Sequence, residues 1–159
     1  MSSMFFSNML HWKLKKYPDT AEDTTIIMCA HDEEKNIAQS IQAILDQQYA
    51  GHIRLIVVDN ASQDRTKQEI LQKQASAHAG CSLEYAYCTQ PGKAHALNYG
   101  LEMVRTRYFI TVDADTCLEK QAVQKIMNRI AACQDACVAG NLFVPVSYTH
   151  LTLPTNSRV

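Results

Sequence analysis

Apolar residues occur along the chain in short runs, and segments with helical periodicity separate these runs. Runs of about four to eight apolar residues, rich in β-branched and aromatic side chains, are typical of buried strands. They predict four strands, at Thr24–Ala30, Ile53–Val58, Leu83–Cys88 and Tyr108–Val112, and a fifth at Cys137–Val144.

Apolar residues that recur every three or four positions predict a helix after each of the first four strands. The first helix should have Asp32 as its N-cap, extend to about Tyr49 and be broken by Gly51. Strands that alternate with helices indicate an α/β fold, with a mostly parallel, Rossmann-like sheet covered by helices on both faces. The other three helices are predicted at Thr66–Ala77, Lys93–Arg105 and Glu119–Ala132.

Polar residues collect where the predicted strands end. In an open parallel sheet the carboxyl ends of the strands lie along one edge, and ligands bind there. We therefore expect a ligand site at the carboxyl edge of this sheet. The polar segments that follow the four strands are His31–Glu33, Asp59–Asp64, Gln90–Lys93 and Asp113–Asp115.

Composition narrows the class of protein. A chain of 159 residues that is 47% hydrophobic and 19% charged is sufficient for one domain with a buried core. A net charge of -1 argues against non-specific nucleic-acid binding, which depends on neutralising phosphates. No apolar run approaches the roughly 20 residues that cross a bilayer. The six cysteines match no zinc-binding spacing, which favours free thiols in a reducing compartment.

The chain divides into three segments: a leader and acidic linker at 1–23, a domain at 24–146 and a tail at 147–159. In the leader, Phe5, Phe6 and Trp12 beside three lysines fit either contact with a membrane surface or local packing. The tail has neither strand alternation nor a helical stripe, and it looks like translated cloning adapter.

Asp113 and Asp115, just past the fourth strand, are the strongest candidates for metal ligands. Two carboxylates one residue apart can present oxygens to a hard divalent cation, which takes substrate phosphates as further ligands. The alternative is a solvated acidic turn that caps the helix predicted from Glu119.

Other candidates lie beyond the earlier strands. Asp59 can accept hydrogen bonds from a ribose or a nucleobase imide, or it can form an Asx turn. Lys93, which opens a helix after a Pro-Gly turn, suits a pyrophosphate, although an exposed turn lysine is the alternative. His31 and His95 are candidate polar contacts, or else structural histidines.

Three other nucleotide-linked readings fit poorly. A dinucleotide-binding Rossmann domain needs a glycine fingerprint after the first strand, where this chain has Ala30-His31-Asp32-Glu33. A phosphate-cradling P-loop is also absent from the sequence. A response-regulator-like domain needs a lone aspartate after the third strand, whereas Asp59 follows the second.

Four ordered segments resemble the donor-binding half of family 2 glycosyltransferases, which adopt the GT-A fold. Among subgroups of that family, the chain looks most similar to processive synthases of poly-N-acetylglucosamine, hyaluronan or cellulose type. The resemblance runs from about Thr24 to Val144. Its segments are TTIIMCAHDEE from Thr24, IVVDNASQDRT from Ile56, GKAHALNYGL from Gly92 and YFITVDADT from Tyr108.

The resemblance implies a role for individual positions around a nucleotide-sugar donor. It implies that Ala30, His31 and Glu33 line the nucleoside pocket and that Asp59 contacts the uracil of a UDP-sugar. In the same way, Lys93 would lie near the donor, and Asn98 would shape the helix that Lys93 opens. Asp113 would lie near the ribose and sugar, and Asp115 would bind Mn²⁺ or Mg²⁺ on the diphosphate.

The resemblance further implies inverting transfer to the hydroxyl of a glycan or lipid-linked acceptor, with a base that deprotonates it. The family's base, its acceptor motifs and its membrane spans are expected beyond this chain, with the full-length protein on the cytoplasmic side of a membrane. Cys29 and His31 depart from the proline and the aromatic residue usual in the family. Two hypotheses therefore stay open: part of a transferase, or a nucleotide-sugar-binding module without turnover.

Overall fold

The computed structural model describes residues 18–133, in which strands and helices alternate. Along the chain these elements are β1 (Thr24–Ala30), α1 (Ile37–Leu45), β2 (Ile53–Asp59), α2 (Thr66–Gln74), β3 (Cys81–Tyr87), α3 (Lys93–Glu102), β4 (Tyr108–Asp113) and α4 (Ala122–Cys133).

The four strands form one parallel sheet in the order β3-β2-β1-β4. The register places Ala30 opposite Asp59 on β2 and Cys29 opposite Asp113 on β4. The carboxyl ends of neighbouring strands therefore lie side by side, with their polar residues at one edge. The predicted α/β class and the parallel sheet are confirmed.

Side chains of β1 and β2 enter two core clusters on opposite faces of the sheet. Ile26 belongs to the cluster that includes residues of α1, α2 and α4, whereas Ile27 belongs to the cluster beneath α3. Helices thus cover both faces, and burial on both sides explains the continuous apolar runs. At Gly100 of α3, an added Cβ would lie 2.7 Å from Ile27 Cγ2, so the helix touches the sheet where only glycine fits.

The prediction that Asp32 caps the first helix was wrong. The helix begins at Ile37, with Asn36 in the N-cap position. Asp32 has a φ of 53°, in the left-handed region, and its Oδ1 accepts a hydrogen bond from the backbone N–H of Gln63 at 2.7 Å. The carboxylate therefore joins the loops after β1 and β2 and caps no helix.

The predicted end of this helix was also wrong, because α1 ends at Leu45 and not near Tyr49. Gly51 consequently does not terminate it. A Cβ at Gly51 would lie 2.7 Å from the carbonyl oxygen of Ala21, so glycine is needed where two backbone segments approach each other closely.

Other element ends differ from prediction by a few residues. β3 begins two residues early, at Cys81, because polar Ser82 and Glu84 alternate with apolar residues on this edge strand and hide its start from a search for apolar runs. Three helix bounds differ by three residues: α2 ends at Gln74 and not Ala77, α3 at Glu102 and not Arg105, and α4 begins at Ala122 and not Glu119. The ends of β2, β3, β4 and α4 each differ from prediction by one residue. The predicted fifth strand, most of the leader and the tail lie outside the described residues.

The segment before β1, which the sequence suggests is an acidic linker, is attached to α4. The backbone N–H of Thr20 donates to Asn128 Oδ1 at 2.9 Å, and Asn128 Nδ2 donates to Asp19 Oδ1 at 2.8 Å. Gln124 Nε2 donates to the carbonyl oxygen of Thr20 at 2.9 Å. These contacts place the segment on the folded domain.

Candidate functional site

Asp59, the last residue of β2, is a buried carboxylate at the carboxyl edge, only 1% exposed. Its Oδ1 accepts a hydrogen bond from the backbone N–H of Ser62, three residues on, at 3.0 Å, so the carboxylate holds the loop that follows β2. An Asx turn would bond the N–H two residues on. Its Oδ2 accepts a hydrogen bond from Tyr85 Oη at 3.0 Å. Burial and the neighbouring Asp59 raise the pKa of Tyr85, so its hydroxyl stays protonated and acts as the donor.

Asn60, the next residue, joins the loops that follow three strands. Its Nδ2 donates to the carbonyl oxygen of Gln90 at 2.6 Å, and its Oδ1 accepts from the N–H of Gly92 at 2.7 Å. Its backbone N–H donates to the carbonyl oxygen of Ala30 at 2.8 Å, and its carbonyl oxygen lies 2.7 Å from His31 Nδ1. The side chains of Asn60 and Asp59 thus hold different parts of the edge.

The loops after β1 and β2 are connected by side-chain contacts to backbone atoms. Thr66 Oγ1 accepts a hydrogen bond from the N–H of Glu33 at 2.8 Å and donates to Asp64 Oδ1 at 2.5 Å. Asp64 Oδ2 accepts from the N–H of Glu34 at 3.1 Å. Burial acts to raise the pKa of Asp64, but these hydrogen bonds outweigh it and hold that pKa below its ordinary value.

The three candidates at and just after the end of β1 differ in what they expose. Ala30 is 2% exposed, so any contact with a ligand would come from its backbone. The imidazole of His31 is largely exposed, with its Nδ1 held by Asn60 as described above. Glu33 Oε2 accepts a hydrogen bond from Asn36 Nδ2 at 3.0 Å, which orients the carboxylate toward the start of α1.

Lys93 and Asp113 meet across the site. Lys93 Nζ lies 2.6 Å from Asp113 Oδ1, and their side chains are 71% and 60% exposed. The hydrogen bond and the charge of Asp113 raise the pKa of Lys93, so the amine is a cation. The structure therefore brings together a lysine after β3 and an aspartate at the end of β4, which are separated by 20 residues in sequence.

Asp115 is exposed, and so is Asp113, while Ala114 between them is 4% exposed. Thr116 Oγ1 lies 3.5 Å from Asp115 Oδ1. Within residues 18–133, no group of three or more His, Cys, Asp or Glu side chains forms a complete metal cage. Two accessible carboxylates nevertheless fit Mg²⁺ or Mn²⁺, which are hard cations that take oxygen ligands and complete their shell with water and phosphate oxygens.

The remaining candidates on α3 line a cavity to which neither Lys93 nor Asp113 contributes. His95 and Asn98 line an open cavity of about 410 Å³ between α3 and the end of β3, together with Tyr87 and Tyr99. Both candidate side chains are exposed. Asn98 thus lies on the outer surface of α3, whereas Ala96 and Gly100 are its buried residues.

The four cysteines whose side chains are described, Cys29, Cys81, Cys88 and Cys117, are free thiols. Burial raises the pKa of Cys29 and, more strongly, that of Cys81, to about 11. Both thiols are therefore neutral at physiological pH. Cys29, one of the two departures from the family pattern, is a partly buried residue of β1 beneath α3.

Sequence reasoning included Asn60 among the polar residues of the edge but gave it no role, and it did not consider Tyr85. Asn60 follows Asp59 in a polar loop, and its position one residue past a strand end was the available signal. Tyr85 lies inside a strand, and nothing in the local pattern indicates that its hydroxyl reaches the carboxylate of Asp59. Both contacts depend on which strands become neighbours in the sheet.

A family model described as glycosyl transferase family 2 matches residues 25–156 of the chain. Among curated proteins, the chain is 25% identical over 123 residues to the poly-beta-1,6-N-acetyl-D-glucosamine synthase of Staphylococcus aureus strain COL. That match covers 74% of this chain and 29% of the relative. The chain thus spans less than a third of the length of such relatives.

Two solved structures show a similar fold. The mannosyltransferase PcManGT from Pyrobaculum calidifontis, in complex with GDP-Man and Mn²⁺, matches with a TM-score of 0.66 and 24% identity over 80% of this chain and 39% of that chain. Residues 1–349 of Staphylococcus aureus TarS, in complex with UDP-GlcNAc, match with a TM-score of 0.60 and 20% identity over 70% of this chain and 32% of that chain. These likenesses confirm the predicted GT-A fold. Within the described part of the chain, no helix is long and apolar enough to span a bilayer.

Proposed function

Because the chain belongs to glycosyl transferase family 2, we propose that it is the donor-binding part of an enzyme that transfers sugar from a UDP-sugar to an acceptor hydroxyl. The observation that carries this proposal is the meeting of Lys93 with Asp113, next to exposed Asp115, at the carboxyl edge of the sheet. A cation beside two carboxylates provides partners for a diphosphate and for the metal that accompanies it.

We assign the nucleoside to the side of the edge formed by β1 and β2. Ala30, His31 and Glu33 would line its pocket, and Asp59 would accept a hydrogen bond from the uracil imide. Because Asp59 is 1% exposed, the imide N–H would have to replace the Tyr85 hydroxyl on Oδ2. Proteins similar in fold to this chain have been solved with UDP, UDP-GlcNAc or GDP-Man, which supports a nucleotide-sugar donor.

We assign the diphosphate to the Lys93 side of the edge. Asp115, assisted by Asp113, would hold Mn²⁺ or Mg²⁺, and such a metal would offset the negative charge that develops on the departing UDP. Lys93 would exchange its contact with Asp113 for a diphosphate oxygen, because a phosphate offers the same kind of charge-assisted hydrogen bond. That exchange would leave the Asp113 carboxylate available to the ribose, the sugar or the metal.

For the acceptor and the cellular location we propose only a class of molecule and a membrane. The curated relative from Staphylococcus aureus is named for a polysaccharide product, which favours a glycan or a lipid-linked glycan as acceptor. The whole protein is proposed to work at a membrane, on its cytoplasmic side. Nucleotide-sugar binding without turnover is the second candidate function. Turnover needs a general base, and the first acid after Asp115 in the sequence is Glu119. Its Oε2 lies 2.7 Å from Lys125 Nζ, so Glu119 is already ion-paired, which favours binding without turnover.

The test is calorimetric titration of UDP into the 159-residue chain with Mn²⁺ present. We expect Asp115→Ala to abolish the Mn²⁺-dependent binding that the unsubstituted chain shows, and chelation of Mn²⁺ to have the same effect. Asp46→Ala, which removes an exposed carboxylate just after α1, is the matched control and should bind UDP normally.

Equal affinity with and without chelator, in a folded chain, would contradict the metal assignment, and absence of UDP binding would contradict donor binding itself. A parallel assay with radiolabelled UDP-N-acetylglucosamine and an oligosaccharide acceptor separates the two candidate functions. Acceptor-dependent product would establish transfer by this chain, whereas binding without product would favour the module.

A further inference from the structure

Asn60 makes contacts that neither the resemblance nor the proposed function uses. We propose that Asn60 is a positioning residue for the donor diphosphate, because its side chain fixes residues 90–92 and thereby the place of Lys93. This inference rests on the proposed function, since it assumes that Lys93 contacts the diphosphate.

The contacts of Asn60 require a side-chain amide. Its Nδ2 donates to Gln90 O at 2.6 Å while its Oδ1 accepts from Gly92 N–H at 2.7 Å, so one group serves a carbonyl and an N–H of the same short segment. Aspartate lacks the donor, and an apolar residue lacks both functions. Asn60 is 5% exposed, so water does not readily replace either bond.

The segment that Asn60 holds is the start of α3. Gly92 occupies the N-cap position with a φ of 118°, and its carbonyl oxygen accepts the N–H groups of His95 at 3.0 Å and Ala96 at 3.2 Å. Lys93 is the next residue, and its amine reaches Asp113. A tether on Gly92 therefore determines where the first turn of α3 begins and where the lysine stands relative to β4.

The backbone of Asn60 is itself held in place. Its N–H donates to Ala30 O at 2.8 Å, and its carbonyl oxygen lies 2.7 Å from His31 Nδ1. The side-chain amide thus projects from a residue fixed against β1, at the centre of the sheet. Asn60 therefore holds residues 90–92, which precede Lys93, at a fixed position relative to the central strands β1 and β2.

The experiment is a double-mutant cycle for UDP binding in the presence of Mn²⁺, measured by calorimetry on the 159-residue chain. Asn60→Ala should weaken UDP about tenfold, the effect of losing one well-placed charge-assisted hydrogen bond. In a Lys93→Ala background the same substitution should change the affinity less than about twofold, because residues that act through one contact are not additive. Asn60→Asp, which keeps the acceptor for Gly92 and loses the donor, should also weaken UDP and provides a second variant if alanine prevents folding.

Asn128→Ala is the matched control, because Asn128 is also a buried amide that holds backbone, at 8% exposure, but far along the chain from Lys93. It should lower thermal stability and leave UDP affinity unchanged. An equal loss of affinity for Asn60→Ala in the two backgrounds, or no loss in either, would overturn the proposal.

Hydrogen–deuterium exchange separates this proposal from the proposed function. The Gly92 amide should exchange faster in Asn60→Ala, but not in Lys93→Ala or Asn128→Ala. If the unsubstituted chain binds no UDP, the proposed function fails, and exchange alone then decides whether Asn60 holds the segment. Unchanged exchange at Gly92 in Asn60→Ala would overturn the tether.

Discussion

Near each of the two edges of the sheet, a buried asparagine side chain holds an irregular segment, but the two segments serve different purposes. At the carboxyl edge, the buried amide of Asn60 donates to one backbone group and accepts from another in residues 90–92. Near the amino edge, the buried amide of Asn128 accepts from Thr20 N–H and donates to the carboxylate of Asp19. Each asparagine attaches an irregular segment to the packed domain.

The edges differ in what the attached segment presents to solvent. Near the amino edge, charged groups are used in structure: Asp23 Oδ1 accepts His52 N–H at 3.0 Å, and Glu22 pairs with Arg107 at 3.7 Å. At the carboxyl edge, the held segment leads to Lys93, which stands exposed beside Asp113. A buried asparagine therefore does not by itself indicate a functional site, and the exposed chemistry that it positions is the informative part.

The largest expected effect that separates the edges comes from Asp59→Ala. We expect UDP affinity to fall about tenfold or more, since a charge-assisted hydrogen bond contributes about 1.5–3 kcal/mol. Pyrophosphate should bind almost unchanged, because Asp59 is assigned to the nucleoside. Calorimetry with each ligand in turn measures the difference.

Tyr85→Phe is the control for this comparison, since it removes the hydroxyl on Asp59 Oδ2 but leaves the carboxylate. It should keep UDP binding. If Asp59→Ala weakens UDP and pyrophosphate alike, Asp59 only holds the Ser62 turn, and the carboxyl edge resembles the amino edge more than we propose.

The next effect concerns the amino edge alone. Gly51→Ala should destabilise the fold by about 1–3 kcal/mol, as overpacking does, because the new Cβ would lie 2.7 Å from Ala21 O and 2.8 Å from Glu22 O. UDP affinity of the folded fraction should not change. Denaturant unfolding measures the loss.

Gly80→Ala is matched to it, because there the new Cβ would lie 3.3 Å from an atom of the His78 side chain, a longer approach and not one to backbone. That variant should be tolerated much better. Comparable destabilisation by both substitutions would show that the contact between residues 21–22 and residue 51 is not what requires glycine.

The smallest effect is a pH dependence at the carboxyl edge. The hydrogen bonds that Asp64 accepts from Thr66 and Glu34 hold its folded pKa below the ordinary 3.8, so they stabilise the fold above that pH and are lost as pH falls through the folded pKa. Asp64→Asn should therefore be slightly less stable than the unsubstituted chain at neutral pH. The difference in unfolding free energy should disappear in acid, and a difference that persists there would contradict this assignment.

The two central strands could be predicted better than the bounds of α1, although the starts of α2 at Thr66 and α3 at Lys93 were also predicted correctly. β1 was predicted at its observed bounds and β2 to within one residue, because burial on both faces leaves a continuous apolar run. The start of α1 was missed because Asp32 bonds to Gln63, a residue of another loop. The sequence around Asp32 does not indicate a hydrogen-bond partner that lies 31 residues away.

The same distinction holds at the candidate site. That Lys93 and Asp113 share an edge follows from the parallel direction of the strands, which the pattern of elements indicates. That they are 2.6 Å apart, and that Asn60 ties residues 90–92 to β2, depends on the three-dimensional course of the loops. The chemistry of the edge was therefore predictable in kind, and its internal connections were not.

The close contact between Gly100 and Ile27 couples the packing of α3 against the sheet to the position of Lys93 at the start of that helix. At about 1.5 Å rise per residue, Lys93 stands roughly 10 Å along the helix from Gly100, where the helix touches β1. A small side chain added at position 100 would press on Ile27 and tilt the helix, and the displacement would reach the lysine amine. We therefore expect the distance between the Lys93 amine and the Asp113 carboxylate to depend on the absence of a side chain at Gly100.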